Sequence, residues 1–309
     1  MAAHPLPATA DNAATPNVGK PNIGKKTPPR SGKSVSLKIE GVAWPTISVG
    51  VLSLVLWGGA AYGAVAGVLS YGWAVAICTF AAYLAFTPMH DATHRSISKR
   101  GWINDVLGRV CGLLLLAPYP AFRYLHLQHH KHTNDPDEDP DHYSGNGPAW
   151  QLPLRWFTQD WAYYLRYIFK QKDRPRGEFG EALIEFTLFY LTAAALIVLG
   201  YGKPTILLWL LPARLAIGFL AFSFDYLPHW PYDATGKDDR YRATLNLREW
   251  WLTPVLLYQN YHLIHHLYPG VPFYRYAAVW RDQRETLIAH GARTRSLFAW
   301  NLGQRRQAR

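Results

Sequence analysis

The sequence predicts an all-α integral membrane protein, with four transmembrane helices in two hairpins and a cytoplasmic, histidine-rich cap. Three observations predict it. Four apolar runs pair off through two short turns. Lys and Arg lie almost wholly on one side of those runs. Three histidine clusters with helical spacing fall beyond the ends of the runs, on that same side.

Composition narrows the class before any motif is read. The chain has 309 residues, a net charge of +11, 15% aromatic residues and 13 Trp. A basic, aromatic chain suits either nucleic acid or a membrane. The apolar runs decide for the membrane, where basic loops and interfacial aromatics are the rule, and no nucleic-acid partner is expected. Cys78 and Cys111 form no C-x-x-C pair. That excludes an iron–sulfur cluster or zinc ribbon and a disulfide-stapled extracellular framework.

Residues 1–40 lack periodicity and are rich in Pro, Ala, Asn, Gly and Lys, so they read as a disordered basic tail. No apolar core or cleavage pattern of a secretory signal lies near the start. The membrane domain is expected over 41–285. Ile47–Leu69 is uncharged and long enough for a bilayer, which takes ~20 residues. Gly58-Gly59-Ala60-Ala61 within it is expected at a helix contact. Ser70-Tyr71-Gly72 turns the chain into Trp73–Met89, which ends on the first histidine cluster. Val106–Ala117 is apolar but short, holds Arg109 and precedes Pro118 and Pro120; it is expected to be re-entrant or interfacial. Trp150–Lys172 mixes Trp and Tyr with Arg and Lys, the composition of a helix on the membrane surface.

Ala182–Leu199 and Thr205–Phe224 form the second hairpin about Gly200–Pro204. Arg214, inside the last run, needs an interior partner, and Glu185 is a candidate. Residues 286–309 are expected as a basic C-terminal tail. Outside the runs only Lys203 falls in a far-side turn. The positive-inside rule then places both termini and every histidine cluster in the cytoplasm, beneath the cell's inner membrane.

The clusters are His90 with His94, His126 with His129 and His130, and His262 with His265 and His266. On a helix, positions i, i+3 and i+4 share a face. A lone histidine is more often hydrogen-bonded or exposed than a ligand; three clusters on one side of a membrane are a different matter. Neutral imidazole binds iron, copper and zinc. Eight imidazoles exceed the four ligands of a closed zinc site, which suggests two metals side by side. Neither Cys nor Met recurs near the clusters, which weighs against copper.

H-x-x-x-H at His90, H-x-x-H-H at His126 and H-x-x-H-H at His262 resemble the three histidine boxes of the membrane fatty acid desaturase superfamily. The similarity covers about Trp44 to Trp280. It implies two iron ions that use O2 and two electrons to oxidise an unactivated C–H bond. It also implies a ninth ligand after the fourth span, which His229 would supply. Asp225, Asp91 and Asn260 are expected to support the ligands. Phe224–His229, the Asn134-Asp135-Pro136 and Asp139-Pro140-Asp141 segments, and Gln259–Pro269 are similar to cyanobacterial-type β-carotene ring hydroxylases. Trp230 departs from that pattern, where arginine is expected.

The expected activity is therefore hydroxylation of a β-carotene-type ring. Double-bond insertion into an acyl lipid uses the same boxes and is the alternative. A metal transporter would want its ligands near the bilayer midplane, whereas these lie beyond the span ends. The acidic run Asp135–Asp141 lacks the glycine turn of a calcium loop and is expected to support the second box. His132 and His142 fall off the box pattern. No flavin fingerprint or cluster cysteines are present, so electrons come from outside. An acidic, ferredoxin-like donor would suit the basic cytoplasmic face.

Overall fold

The computed structural model describes residues 35–299; of the expected tails, 1–34 and 300–309 lie outside them. Helix α1 (Trp44–Val65) carries Pro45 in its first turn, where the missing N–H is no loss. Helix α2 (Tyr71–Thr93) is capped by Ser70, whose hydroxyl accepts from Trp73 N. The two pack as an antiparallel pair. The alanines of the expected contact make it: Ala60 and Ala64 are buried against Ala74, Cys78 and Leu208. Gly58 and Gly59 face open space instead. The close approach on α1 is at Gly50, where a Cβ would stand 2.9 Å from Leu107 Cδ1 of α3.

Helices α3 (Gly101–Leu115) and α4 (Tyr119–His132) meet at a 98° bend. Leu116 turns left-handed there, at φ 54, and Ala117 N donates to Gly112 O at 2.9 Å. Only glycine permits that return, since a Cβ on residue 112 would lie 2.4 Å from Ala117 O. The bend turns an apolar helix into the one that carries the second histidine cluster. Helices α5 (Leu152–Phe157) and α6 (Gln159–Phe169) follow. Helix α6 buries Tyr163, Tyr164 and Tyr167 and exposes Trp161, Leu165 and Phe169, the two-faced character expected of a membrane-surface helix.

The chain then runs helically over Arg176–Tyr226, 51 residues. It comprises α7 (Arg176–Leu196), α8 (Gly202–Thr205) and α9 (Leu211–Leu220), with π-helical turns between and after them. It breaks at Gly200, whose φ is +91. The start of α7 reaches α4 through Glu178 and Arg123, 3.1 Å apart. Lys203 lies over the Tyr71 ring, 4.4 Å from its centre, at the opposite end of α2. By Phe224 the chain has returned to the histidines. The second pair is thus a hairpin whose turn sits beside the turn of the first. Among the described residues, α1, α2 and Arg176–Tyr226 are long and apolar enough to cross a membrane.

Arg214 does not pair with Glu185. Its guanidinium binds the Asp160 carboxylate and donates to Phe157 O at 2.7 Å. Helix α6 lies across α9 and brings Asp160 to that depth, whereas Glu185 meets Arg109 Nε at 2.9 Å and accepts from Tyr119 N at 2.8 Å.

The remaining elements are α10 (Leu252–Val255), α11 (His262–Leu267) and α12 (Tyr276–Ala289). The fold is not wholly α. Strand β1 (Leu245–Leu247) pairs in parallel with β2 (Arg293–Arg295). Helix α12 runs across the expected boundary at 285, with Leu287 buried, and β2 ties the following residues to the cap. An arginine does meet Trp230, from far along the chain: Arg295 lies 4.1 Å over its ring.

Candidate metal centre

Nine histidines from four parts of the chain converge, in two groups. His90, His94, His126, His130 and His265 offer ring nitrogens all within 4.8 Å of one another, and so do His129, His229, His262 and His266. In the second and third boxes the i and i+4 histidines share a group and the i+3 histidine enters the other. His126 and His130 stand at i and i+4 on α4 and enter the first group, while His129 leans to the other side and enters the second. On α11, His262 and His266 share the second group and His265 crosses to the first. The His130 and His266 rings stack between the groups with centroids 4.3 Å apart.

Within the first group, His90 Nε2 stands 3.0 Å from His265 Nε2, and His94 Nε2 stands 2.9 Å from His126 Nε2. His130 Nε2 lies 3.1 Å from His126 Nε2 and 2.8 Å from His265 Nε2. In the second, His129–His266, His229–His262 and His266–His262 Nε2 pairs stand at 3.2, 3.0 and 3.1 Å. Ligands at right angles about a metal with bonds of about 2.1 Å stand about 3 Å apart.

The outward nitrogens fix which atom faces inward. Asp139 Oδ1 can only accept, so His129 Nδ1–H donates to it at 2.8 Å. Asn134 Nδ2 donates to the carbonyls of Ala234 and Ala243 at 2.8 and 2.6 Å. Its Oδ1 therefore faces His229, whose Nδ1–H donates at 2.9 Å. His265 Nδ1 lies 3.0 Å from the Tyr276 hydroxyl. Neutral rings held this way turn bare Nε2 lone pairs toward one another, which repel unless a cation lies between them.

Electrostatics agree with neutral donors. Burial pushes His229, His262, His265 and His266 well below the usual imidazole range, helped by neighbouring imidazoles. His94 falls to about 3 by burial, with His129 and Arg123 adding to it. His129 is the exception. Burial lowers it, but the Asp139 and Asp141 carboxylates more than offset this and hold it at about 9. Those two carboxylates come from the acidic loop, which acts as the support expected of it. Asp141 Oδ2 lies 3.4 Å from His129 Nδ1.

The three expected supporting residues sit differently. Asp91 lies 4.0 Å from His90 Nδ1, too far for a hydrogen bond. Its Oδ2 instead accepts from Thr46 Oγ1 at 2.9 Å and Phe273 N at 3.3 Å, tying α1 and the segment after the third box to α2. Asn260 donates to Thr253 Oγ1 at 3.2 Å. Asp225 lines the cavity below the second group, and His229 turns to Asn134 instead. Asp139 belongs to the acidic run expected to support the second box, whereas Asn134 and Tyr276 were not expected as partners of ligand rings. The Asn-Asp-Pro punctuation was the only signal for Asn134.

An apolar cavity reaches the histidine rings. Phe86, Met89, Phe122, Leu220 and Phe224 form its walls, and His126, His129 and His262 stand at its inner end. Nine imidazoles, six of them buried, in two groups beside an apolar cavity could hold metal ions. The chain belongs to the fatty acid desaturase family, whose model matches residues 66–298. It is 31% identical over 218 residues to a dihydrorhizobitoxine desaturase of Bradyrhizobium elkanii, covering 61% of this chain and 60% of that one. It is 27% identical over 216 residues to an sn-1 oleoyl-lipid 12-desaturase of Anabaena variabilis, covering 60% of each. It is 25% identical over 198 residues to a β-carotene 4-ketolase of Haematococcus lacustris, covering 62% of this chain and 56% of that one. The chain thus spans less than two thirds of the length of these relatives.

Proposed function

We propose that the chain is an O2-dependent, di-iron oxidoreductase that oxidises a C–H bond of a membrane lipid. The observation that carries this is the pair of histidine groups, five and four, at the inner end of one apolar cavity. His90, His94, His126, His130 and His265 would hold one iron, and His129, His229, His262 and His266 the other. When bound, the irons supply the redox chemistry with O2 that no side chain supplies. The residues of the chain do the rest. Asp139, Asn134 and Tyr276 orient three ligand rings, and the walls from Phe86 to Phe224 keep water from the reacting carbon.

The substrate of this reading is the end ring of β-carotene or a close relative, oxidised to an alcohol. The resemblance around Asp225–His229 and Asn260–Pro269 supports it, as does the likeness to a β-carotene ketolase. The likeness to oleoyl-lipid desaturases supports acyl-chain desaturation as the second reading. Expression in a host making β-carotene, with a ferredoxin as electron donor, is expected to yield polar carotenoids. Unchanged carotenoids with a new double bond in membrane acyl chains would select the second reading.

The two hairpins support a reading of four membrane spans, in which the break at Gly200 marks the far surface. The exposed Trp150, Trp161 and Trp250 suit the lipid–water boundary beside the cap. Reporter fusions after Lys172 and Arg309 are expected to report the cytoplasm, and one near Tyr201 the opposite side. A far-side signal at Arg309 contradicts this topology.

A further inference from the structure

Gln159 opens helix α6 and faces the cavity that leads to the histidines. The residue is only 6% exposed. Both of its amide atoms, Oε1 and Nε2, are buried without a hydrogen-bond partner in the protein. A buried amide left bare destabilises the fold, and leucine or methionine would fill the same wall without that penalty. Gln259, the other glutamine whose amide is buried, lies beside the Tyr276 hydroxyl and outside the cavity. Gln159 alone of the two turns an amide into the passage.

Other polar groups line the same cavity. Helix α6 also contributes Tyr163 and Tyr164, and Asp141 and Asp225 are part of the lining. Asp160 on the same helix is taken by Arg214. Tyr163 is turned to Asp141. The Gln159 amide, with both atoms unpartnered, offers a donor and an acceptor together to what enters.

We propose that Gln159 is a substrate-recognition residue, and that the lipid oxidised here already carries an oxygen group, hydroxyl, keto or ester, which this amide binds. A plain hydrocarbon would seal the amide away from water with nothing to bond. A site built to hydrogen-bond its substrate discriminates strongly against the analogue lacking that group, because its own polar atoms are left unpaired. The inference rests on the reading of the cavity as the lipid site, and it sharpens that reading. Within the carotenoid class it favours a ring that already bears oxygen over unmodified β-carotene; within the acyl class it favours the ester-bearing chain.

The test uses the full-length, iron-loaded protein in a maltoside detergent and two matched pairs of probes. One pair is β-carotene and its monohydroxylated form; the other is octadecene and methyl oleate. Wild type is expected to bind the oxygenated member of at least one pair about tenfold or more tighter, and Gln159→Leu to remove that difference while retaining its iron. If Gln159→Leu does not fold, Gln159→Glu decides. A carboxylate accepts but does not donate, so preference for the hydroxylated probe persists and preference for the ester is lost. Equal binding of both members of both pairs by wild type, or an unchanged preference in Gln159→Leu, overturns the proposal. Products are measured in the same samples after O2 and a reduced ferredoxin are added. Probe preference without any oxidised product would count against the oxidation reading and leave the recognition role standing.

Discussion

His265→Ala is expected to reduce turnover by more than about 100-fold, beyond what loss of a supporting hydrogen bond causes. The protein should remain in the membrane at near wild-type level. His265 is the residue of the third cluster that crosses to the first group. Its Nε2 stands 3.0 Å from that of His90 and 2.8 Å from that of His130. Its Nδ1 is fixed by Tyr276 at 3.0 Å. His265 is the only ligand that α11 gives to the first group, so removing it costs the first metal a donor and its link to the cap. The hairpins do not depend on it, since their buried contacts run through Ala60, Ala74, Cys78 and Leu208. Product formation and bound iron per chain check this together. Full activity would remove His265 from the site.

Asp139→Ala is expected to lower metal affinity by about 10- to 100-fold and also to destabilise the cap. Asp139 accepts from His129 Nδ1–H at 2.8 Å, from Asn134 N at 2.7 Å and from Asp141 N at 2.8 Å. Each donor left unpaired in a buried place costs about 1–3 kcal/mol. Asn134 is itself the partner of His229, so one carboxylate positions two ligands of the second group, one directly and one through its neighbour's backbone. Asp139→Asn separates the two effects. It can keep an oxygen toward His129 but offers Asn134 N no second acceptor. Iron titration of both variants, with thermal unfolding, is expected to rank wild type first, Asn second and Ala last. An Asp139→Ala protein with wild-type affinity and melting would mean that His129 needs no such support.

Local rules made much of this architecture legible. The runs ending at Met89 and Phe224 and the turns at Ser70 and Gly200 needed only apolar length and glycine placement. The nine histidines were found because helical spacing is a short-range property. Their division into five and four was not legible. It depends on where α11 meets α4, and no spacing within one box shows that His265 and His129 cross over. The supporting residues failed for the same reason. Asp91 and Asn260 adjoin histidines in sequence, but their side chains point to Thr46 and Thr253. Asn134 and Tyr276 reach ligands distant in sequence. Arg214 found Asp160 rather than Glu185 because a surface helix crosses α9, a contact that apolar patterning does not encode. The short β1–β2 pair was hidden for similar reasons, since three-residue strands 46 or more positions apart carry no pattern of their own.

The central claim is that two groups of histidines hold two irons in one chain. Metal content of the purified full-length protein, measured alongside activity, tests it most directly. Close to two irons per chain is predicted, with oxidised lipid formed only when they are present. An active enzyme without iron, or a chain that saturates at a single metal ion, would contradict it.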